Sequence, residues 1–276
     1  MSPSIDQRYR TFTDLRARRC CRHGDRSWNY SVIGVDEQVV VLLPGGAGEG
    51  VTWFDQALGL QHRFRCLLVD YPPTTSIDEL VDGLLAVLDT EGVQRAHLVG
   101  TSLGGMLAVA LSRRAPQRVR SLTLGNTGIY AEQDVPRLRT GLRAVRRTPW
   151  WLLRRVVHQR MTRLLAPSPD LLFWTALFDR VYRDPAQRHR LISQQLVLID
   201  LAARAHPGVR ADEWDGPVLI IAAGDDPVIP PRAAQRLLDD YPGHQLHTFP
   251  TGGHLLAATR PHQYHEVLHT FLVSSG

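Results

Sequence analysis

The chain contains no lysine; all 32 of its basic residues are arginine. A phosphate cradle of the Gly-x-x-x-x-Gly-Lys-Ser/Thr type is therefore excluded, because the ammonium that reaches the phosphates is missing. Cysteine is scarce. Cys20, Cys21 and Cys66 are the three present and two of them are adjacent, so no disulfide framework can be built and a reducing, cytoplasmic setting is expected. No Cys-x-x-Cys pair occurs, and neither a metal nor an organic cofactor is expected. Apolar runs are short: none approaches the roughly 18–20 residues of a bilayer-spanning helix, so no membrane span is expected. Residues 1–22 are polar and arginine-bearing, without the apolar stretch of a secretory leader.

What is present suits one large α/β domain with an insertion, or two small ones: 276 residues, 43% hydrophobic, with a formal net charge of +5. Apolar, β-branched runs at 38–43, 66–69, 96–99, 119–124 and 217–223 read as strands buried on both faces. A further strand is expected at 245–249, and a short antiparallel one at 27–33. Between them fall helical patterns at 51–60, 76–90, 231–240 and 261–273. Ser76 with Glu79 three residues on predicts a capping box for the second of these. Residues 1–25 read as irregular, with an edge strand near 9–15. Strands alternating with helices predict a doubly wound, mostly parallel sheet whose chemistry lies at the carboxyl ends of its strands.

The strand at 96–99 runs straight into Gly100-Thr101-Ser102-Leu103-Gly104, which fits Gly-x-Ser-x-Gly, and a helical pattern follows. A strand turning directly into a helix strains the turn residue and crowds the backbones, so glycines are needed on either side. Ser102 is thus the candidate nucleophile; the plainer alternative is a serine that only caps the helix. A serine needs a base, and His254 in Thr251-Gly252-Gly253-His254, just after the last strand, is the histidine in the right setting. The base needs a carboxylate to orient it. Asp225-Asp226-Pro227 follows the strand at 217–223, and Asp226 is favoured because Pro227 and Pro230 stiffen its loop, with Asp225 the alternative. The segment Gly125-Asn126-Thr127-Gly128 offers no carboxylate. Donors for an oxyanion are expected from the N–H of Leu103 and from the glycine-rich loop 44–50, where Gly46 is the first choice and Ala47 the second.

The segments LLPGGAG, LVDYPP, LVGTSLGG, LIIAAGDDPVIP and TGGH together resemble the α/β-hydrolase fold superfamily, in its serine-nucleophile branch. The resemblance implies an eight-stranded sheet, a helical cap inserted after the sixth strand, and Ser102, Asp226 and His254 as a catalytic triad. It assigns residues 1–128 and 215–276 to the core and 129–214 to the cap. Many family members have His-Gly where this chain has Pro44-Gly45. The stretches LLVDYPP, HLVGTSLGG and YPGHQLHTFPTGGH are also similar to maspardin-like proteins, some of which act as binding adaptors.

Residues 129–214 read as helical throughout. Trp150, Trp151, Phe173 and Trp174 are the expected substrate-binding side chains of an apolar pocket. Arg139, Arg143, Arg146, Arg147, Arg154, Arg155, Arg160 and Arg163 recur at helical spacing. A solvated helix face is the plain reading. Attraction of an anionic substrate, such as a carrier- or CoA-bound acyl group, is a second reading, and contact with a membrane surface a third. Nothing matches a nucleic-acid-binding motif. Together these features predict a serine hydrolase acting on an ester, thioester or lactone of a small, largely apolar molecule, with no cofactor. The alternatives are a lyase, C–C hydrolase or cyclase on the same fold, or an adaptor without catalysis.

Overall fold

The computed structural model describes residues 3–204 and 214–276. The amino-terminal segment is a helix rather than irregular chain. Helix α1 (Ile5–Leu15) starts at Ser4, whose hydroxyl accepts from the Gln7 N–H at 3.3 Å while the Gln7 side chain accepts from the Ser4 N–H at 2.8 Å. This capping box, with Ile5, Tyr9 and Phe12 on one face, overrides the edge strand expected near 9–15. Strands β1 (Ala17–His23) and β2 (Arg26–Ile33) form an antiparallel hairpin, followed by β3 (Val39–Leu43), α2 (Phe54–Leu60), β4 (Arg65–Val69) and α3 (Ile77–Thr90).

Ser76 caps α3, accepting from the Asp78 N–H at 3.2 Å, but the expected box does not close. The Glu79 carboxylate is taken instead by the Thr74 hydroxyl and by Arg26. The chain continues through β5 (Ala96–Thr101), α4 (Leu103–Arg114) and β6 (Val119–Gly125). Among the described residues four α-helices then precede the next strand: α5 (Val135–Arg147), α6 (Trp150–Leu165), α7 (Leu171–Val181) and α8 (Ala186–Ala203). The expected carboxyl boundary of this insertion, near residue 214, adjoins residues 205–213, which lie outside the described residues. The remainder is β7 (Val218–Ala223), α9 (Pro231–Asp240), β8 (Gln245–Phe249), α10 (Leu256–Thr259) and α11 (Pro261–Ser274).

The eight strands form one sheet in the order β1-β2-β4-β3-β5-β6-β7-β8. It is mixed: β3 to β8 run parallel, and the β1–β2 hairpin joins antiparallel through β2 and β4. Alternate residues of the central strands feed two cores. Val41, Leu43, Leu98 and Leu122 pack toward α3, α4 and α9, whereas Val40, Leu42, Val99 and Ile221 pack toward α1, α2 and α11. The inserted helices extend both cores, through Val197 and Leu201 of α8 on one side and Trp174, Leu177 and Phe178 of α7 on the other. Polar ties add to this packing: Asp200 of α8 accepts from the Ile77 N–H at 3.1 Å, capping α3 from outside.

Candidate active site

The site gathers at the carboxyl ends of β3, β5, β6, β7 and β8. At the end of β5, Ser102 has φ 55° and ψ −120°, a left-handed backbone for a residue with a side chain. The surrounding glycines are required by contact. A Cβ on Gly100 would run into the Gly104 backbone, and one on Gly104 would strike the Leu43 carbonyl of β3. The Ser102 side chain makes no capping bond to α4, which removes the reading of a mere helix cap.

His254 is buried, and its Nδ1 lies 2.9 Å and 3.1 Å from the two carboxylate oxygens of Asp226. An ionised carboxylate only accepts, so Nδ1 donates in this bond and Nε2 is the ring nitrogen left to face the cavity. The Asp226 Oδ1 also accepts from the Val228 N–H at 2.7 Å, which fixes the carboxylate in its loop. Asp225 is used differently. It accepts from the N–H groups of Gly252 at 3.2 Å and Gly253 at 2.8 Å. The Gly253 bond is the main reason its carboxyl is held below the usual carboxylate range. Gly253 has φ 65°, so this loop turn needs a glycine. The two adjacent aspartates thus divide the work: one holds the histidine ring and the other holds its loop.

Asn126, one residue past β6, ties these pieces together. Its amide nitrogen donates to the carbonyls of Gly253 at 2.8 Å and His254 at 2.9 Å, and its oxygen accepts from the Ala223 N–H at 2.9 Å. Thr127 donates to the Ser102 carbonyl at 2.7 Å. Searching that segment for a carboxylate overlooked this role, although an amide offering both donor and acceptor at a strand end was the available signal.

The glycine-rich loop after β3 is fixed from β4. The Tyr71 hydroxyl donates to the Pro44 carbonyl at 3.0 Å, and Asp70 accepts from the Gly50 N–H at 2.7 Å. Gly46 and Ala47 line the cavity beside Ser102, and among the described residues the N–H groups of Gly46, Ala47 and Leu103 have no acceptor. Leu103 opens α4, so its N–H belongs to a free, partly positive helix end.

A cavity of about 290 Å³ joins Ser102 and His254. No Ser102–His254 hydrogen bond is formed in this arrangement; such bonds commonly tighten only with substrate. Of the four aromatic side chains expected to bind substrate, the cavity is lined by Trp174 alone. Trp151 is 69% exposed and points away, Trp150 packs against the core, and Phe173 packs edge-on to Tyr9 and Trp174. The helical period explains the difference. The cavity face of α6 carries Val157, Arg160, Met161 and Leu164, and that of α7 carries Trp174 and Phe178, with Tyr182 just past its end, spaced three and four apart. Counting those positions, rather than selecting aromatic residues, would have found the lining.

One stretch has metal-ligand spacing: His265-Glu266-Val267-Leu268-His269 on α11 fits His-Glu-x-x-His. Its His265 Nδ1 is 3.2 Å from the Gln56 amide oxygen. Among the described residues no group of three or more His, Cys, Asp or Glu is placed to hold a metal ion.

Residues 38–261 match the sequence profile of the alpha/beta hydrolase fold, and the chain belongs to that family. It is 26% identical over 273 residues to RutD of Azorhizobium caulinodans, which carries the assignment carbamate hydrolase, covering 89% of this chain and 94% of that one. It is 28% identical over 269 residues to a 2-hydroxy-6-oxononadienedioate/2-hydroxy-6-oxononatrienedioate hydrolase of Paraburkholderia phymatum, covering 88% and 90%. The crystal structure of the enol-lactonase from Burkholderia xenovorans superposes with a TM-score of 0.74 at 21% identity, over 92% of this chain and all of that one, a likeness of fold.

Proposed function

We propose that the protein is a serine hydrolase that cleaves an ester, thioester or lactone of a small, largely apolar molecule. One observation carries the reading: a serine in a strained backbone shares an apolar cavity with a histidine already seated on a carboxylate. Ser102 attacks the substrate carbonyl while the free Nε2 of His254 takes its proton. Asp226 stabilises the imidazolium and holds its tautomer. The tetrahedral oxyanion is met by the N–H groups of Gly46 and Leu103, which have no partner to give up. His254 then protonates the leaving group, and water resolves the acyl-enzyme by the same steps in reverse. Residues 129–214 act as a cap over a core of 1–128 and 215–276, supplying the apolar wall.

A second reading, hydrolysis of a C–C bond beside a ketone, is favoured by Arg160. Among the described residues it is the one side chain of fixed charge on the cavity wall, and it would attract an anionic substrate end. The named reaction of the Paraburkholderia phymatum relative also supports this alternative.

The test is hydrolysis of p-nitrophenyl acetate, butyrate and octanoate by wild type and Ser102→Ala. Turnover that falls about 10⁴-fold or more in Ser102→Ala is expected. Absence of turnover, together with failure of a fluorophosphonate to label Ser102, would overturn serine catalysis and favour a binding adaptor. Labelling without ester turnover would favour the C–C reading.

A further inference from the structure

Between Val135 and Leu165 the chain carries nine arginines and neither aspartate nor glutamate. Among the described residues ten arginines elsewhere are answered by a carboxylate, among them Arg8 by Asp55, Arg19 by Glu91, Arg113 by Asp240 and Arg236 by Asp134. Among the described residues none of the nine takes part in an ion pair, and every one that the sequence reading singled out is exposed. The same stretch carries exposed apolar side chains. Trp151 is 69% exposed, Val156 49% and Leu152 37%. On an α-helix these three share the outward side of α6 with Arg155, and Arg143, Arg146 and Arg147 lie in the last two turns of α5, separated from α6 only by Thr148 and Pro149. The opposite side of the same helix supplies Val157, Met161 and Leu164 to the cavity wall.

We propose that the outward face of α6, with the α5–α6 corner, docks on an anionic phospholipid surface. Two features select this partner. Unpaired guanidinium groups fork onto phosphates and sense a negative surface. A tryptophan beside leucine and valine suits the boundary between headgroup and acyl chain, where an amphipathic helix lies flat. An acidic protein could answer the same charges, and the binding experiment separates the two. The docking needs only this surface. Its consequence, that the cavity on the other side of α6 takes an apolar substrate out of the bilayer, rests on the hydrolase reading.

Co-sedimentation of the full chain with phosphatidylcholine vesicles, with and without phosphatidylglycerol, tests the docking without reference to catalysis. Binding is expected only with the anionic vesicles, weakened by salt. Arg143→Gln/Arg147→Gln/Arg155→Gln should weaken it about a hundredfold, and Trp151→Ser should weaken it as well. Circular dichroism and turnover of p-nitrophenyl butyrate should match wild type in both variants, since none of the four residues lines the cavity. Equal binding to neutral vesicles, no binding by wild type, or unchanged binding by folded variants would each overturn the proposal. So would capture of an acidic acyl carrier protein through the same arginines without vesicle binding, which would assign the face to that partner.

Discussion

At the scale of single residues, the proposed mechanism separates side chains that would react from those that hold them. Asp225 and Asp226 are neighbours of one residue type, yet only Asp226 reaches the imidazole, while Asp225 binds the backbone before it. Asp226→Asn would present an amide to Nδ1 and favour the wrong tautomer, so kcat should fall by three to four orders of magnitude, about that seen for such replacements. Asp225→Asn keeps an acceptor for the Gly253 N–H and should cost about tenfold or less. Comparable losses in the two variants would count against this division. Asn126 is the third holding residue. Asn126→Leu leaves two carbonyls and the Ala223 N–H without their partner, with a stability cost of about 1–3 kcal/mol. It should lower kcat on a soluble ester more than it raises KM, because the His254 loop shifts while the cavity wall stays. The adjacent aspartates left two readings open in sequence, since loop stiffness cannot say which way a side chain turns. The cavity wall was harder to read, because the insertion has many apolar residues and only the phase of each helix selects those that face inward.

At the scale of elements, agreement between sequence and structure follows the burial of each segment. β3 and β5 are enclosed on both faces, and their apolar runs stand out in the sequence. β1 was invisible, because Ala-Arg-Arg-Cys-Cys-Arg-His has no strand pattern. It is a mostly exposed edge strand defined by its pairing with β2, a tertiary contact. α1 was legible in principle through Ser4 and Gln7, but it is mostly polar and buries only Ile5 and Phe12, so no apolar run draws attention to it. Gly83, in the middle of α3, marks a packing constraint between elements. A Cβ there would land on the Trp28 indole of β2, which is 1% exposed. Alanine is intrinsically better in a helix by about 1 kcal/mol. Even so, Gly83→Ala should lower stability by about 1–3 kcal/mol, because the indole cannot yield without disturbing the core. Adding Trp28→Leu should reverse the sign of the alanine effect in urea unfolding. Additive losses in that double mutant would show that the contact is not the cause.

At the scale of the whole molecule, the sheet that presents Ser102 also encloses a titratable group at its centre. His97 lies on β5, between β3 and β6, four residues before the elbow glycine-threonine pair ends and Ser102 begins the turn. It is fully buried; its Nδ1 is 2.7 Å from the Ser121 hydroxyl, its Nε2 has no partner, and the Phe64 ring stands edge-on to it. Burial, with a smaller contribution from Arg120, lowers its pKa to about 4. An unfolded histidine titrates near 6.5. The unfolded chain therefore binds the extra proton first as pH falls, so stability declines between about 6.5 and 4. The difference amounts to about 3 kcal/mol across that window, large against the 5–15 kcal/mol of an ordinary domain. His97→Leu with Ser121→Ala removes the titrating ring together with the hydroxyl it would leave unpaired. Urea midpoints measured at pH 7 and pH 4.5 should fall by less in the double variant than in wild type. An equal fall in both would place the acid sensitivity in the carboxylates instead. The elbow and this histidine share one strand, so protonation that loosens β5 should also relax the strained Ser102 turn.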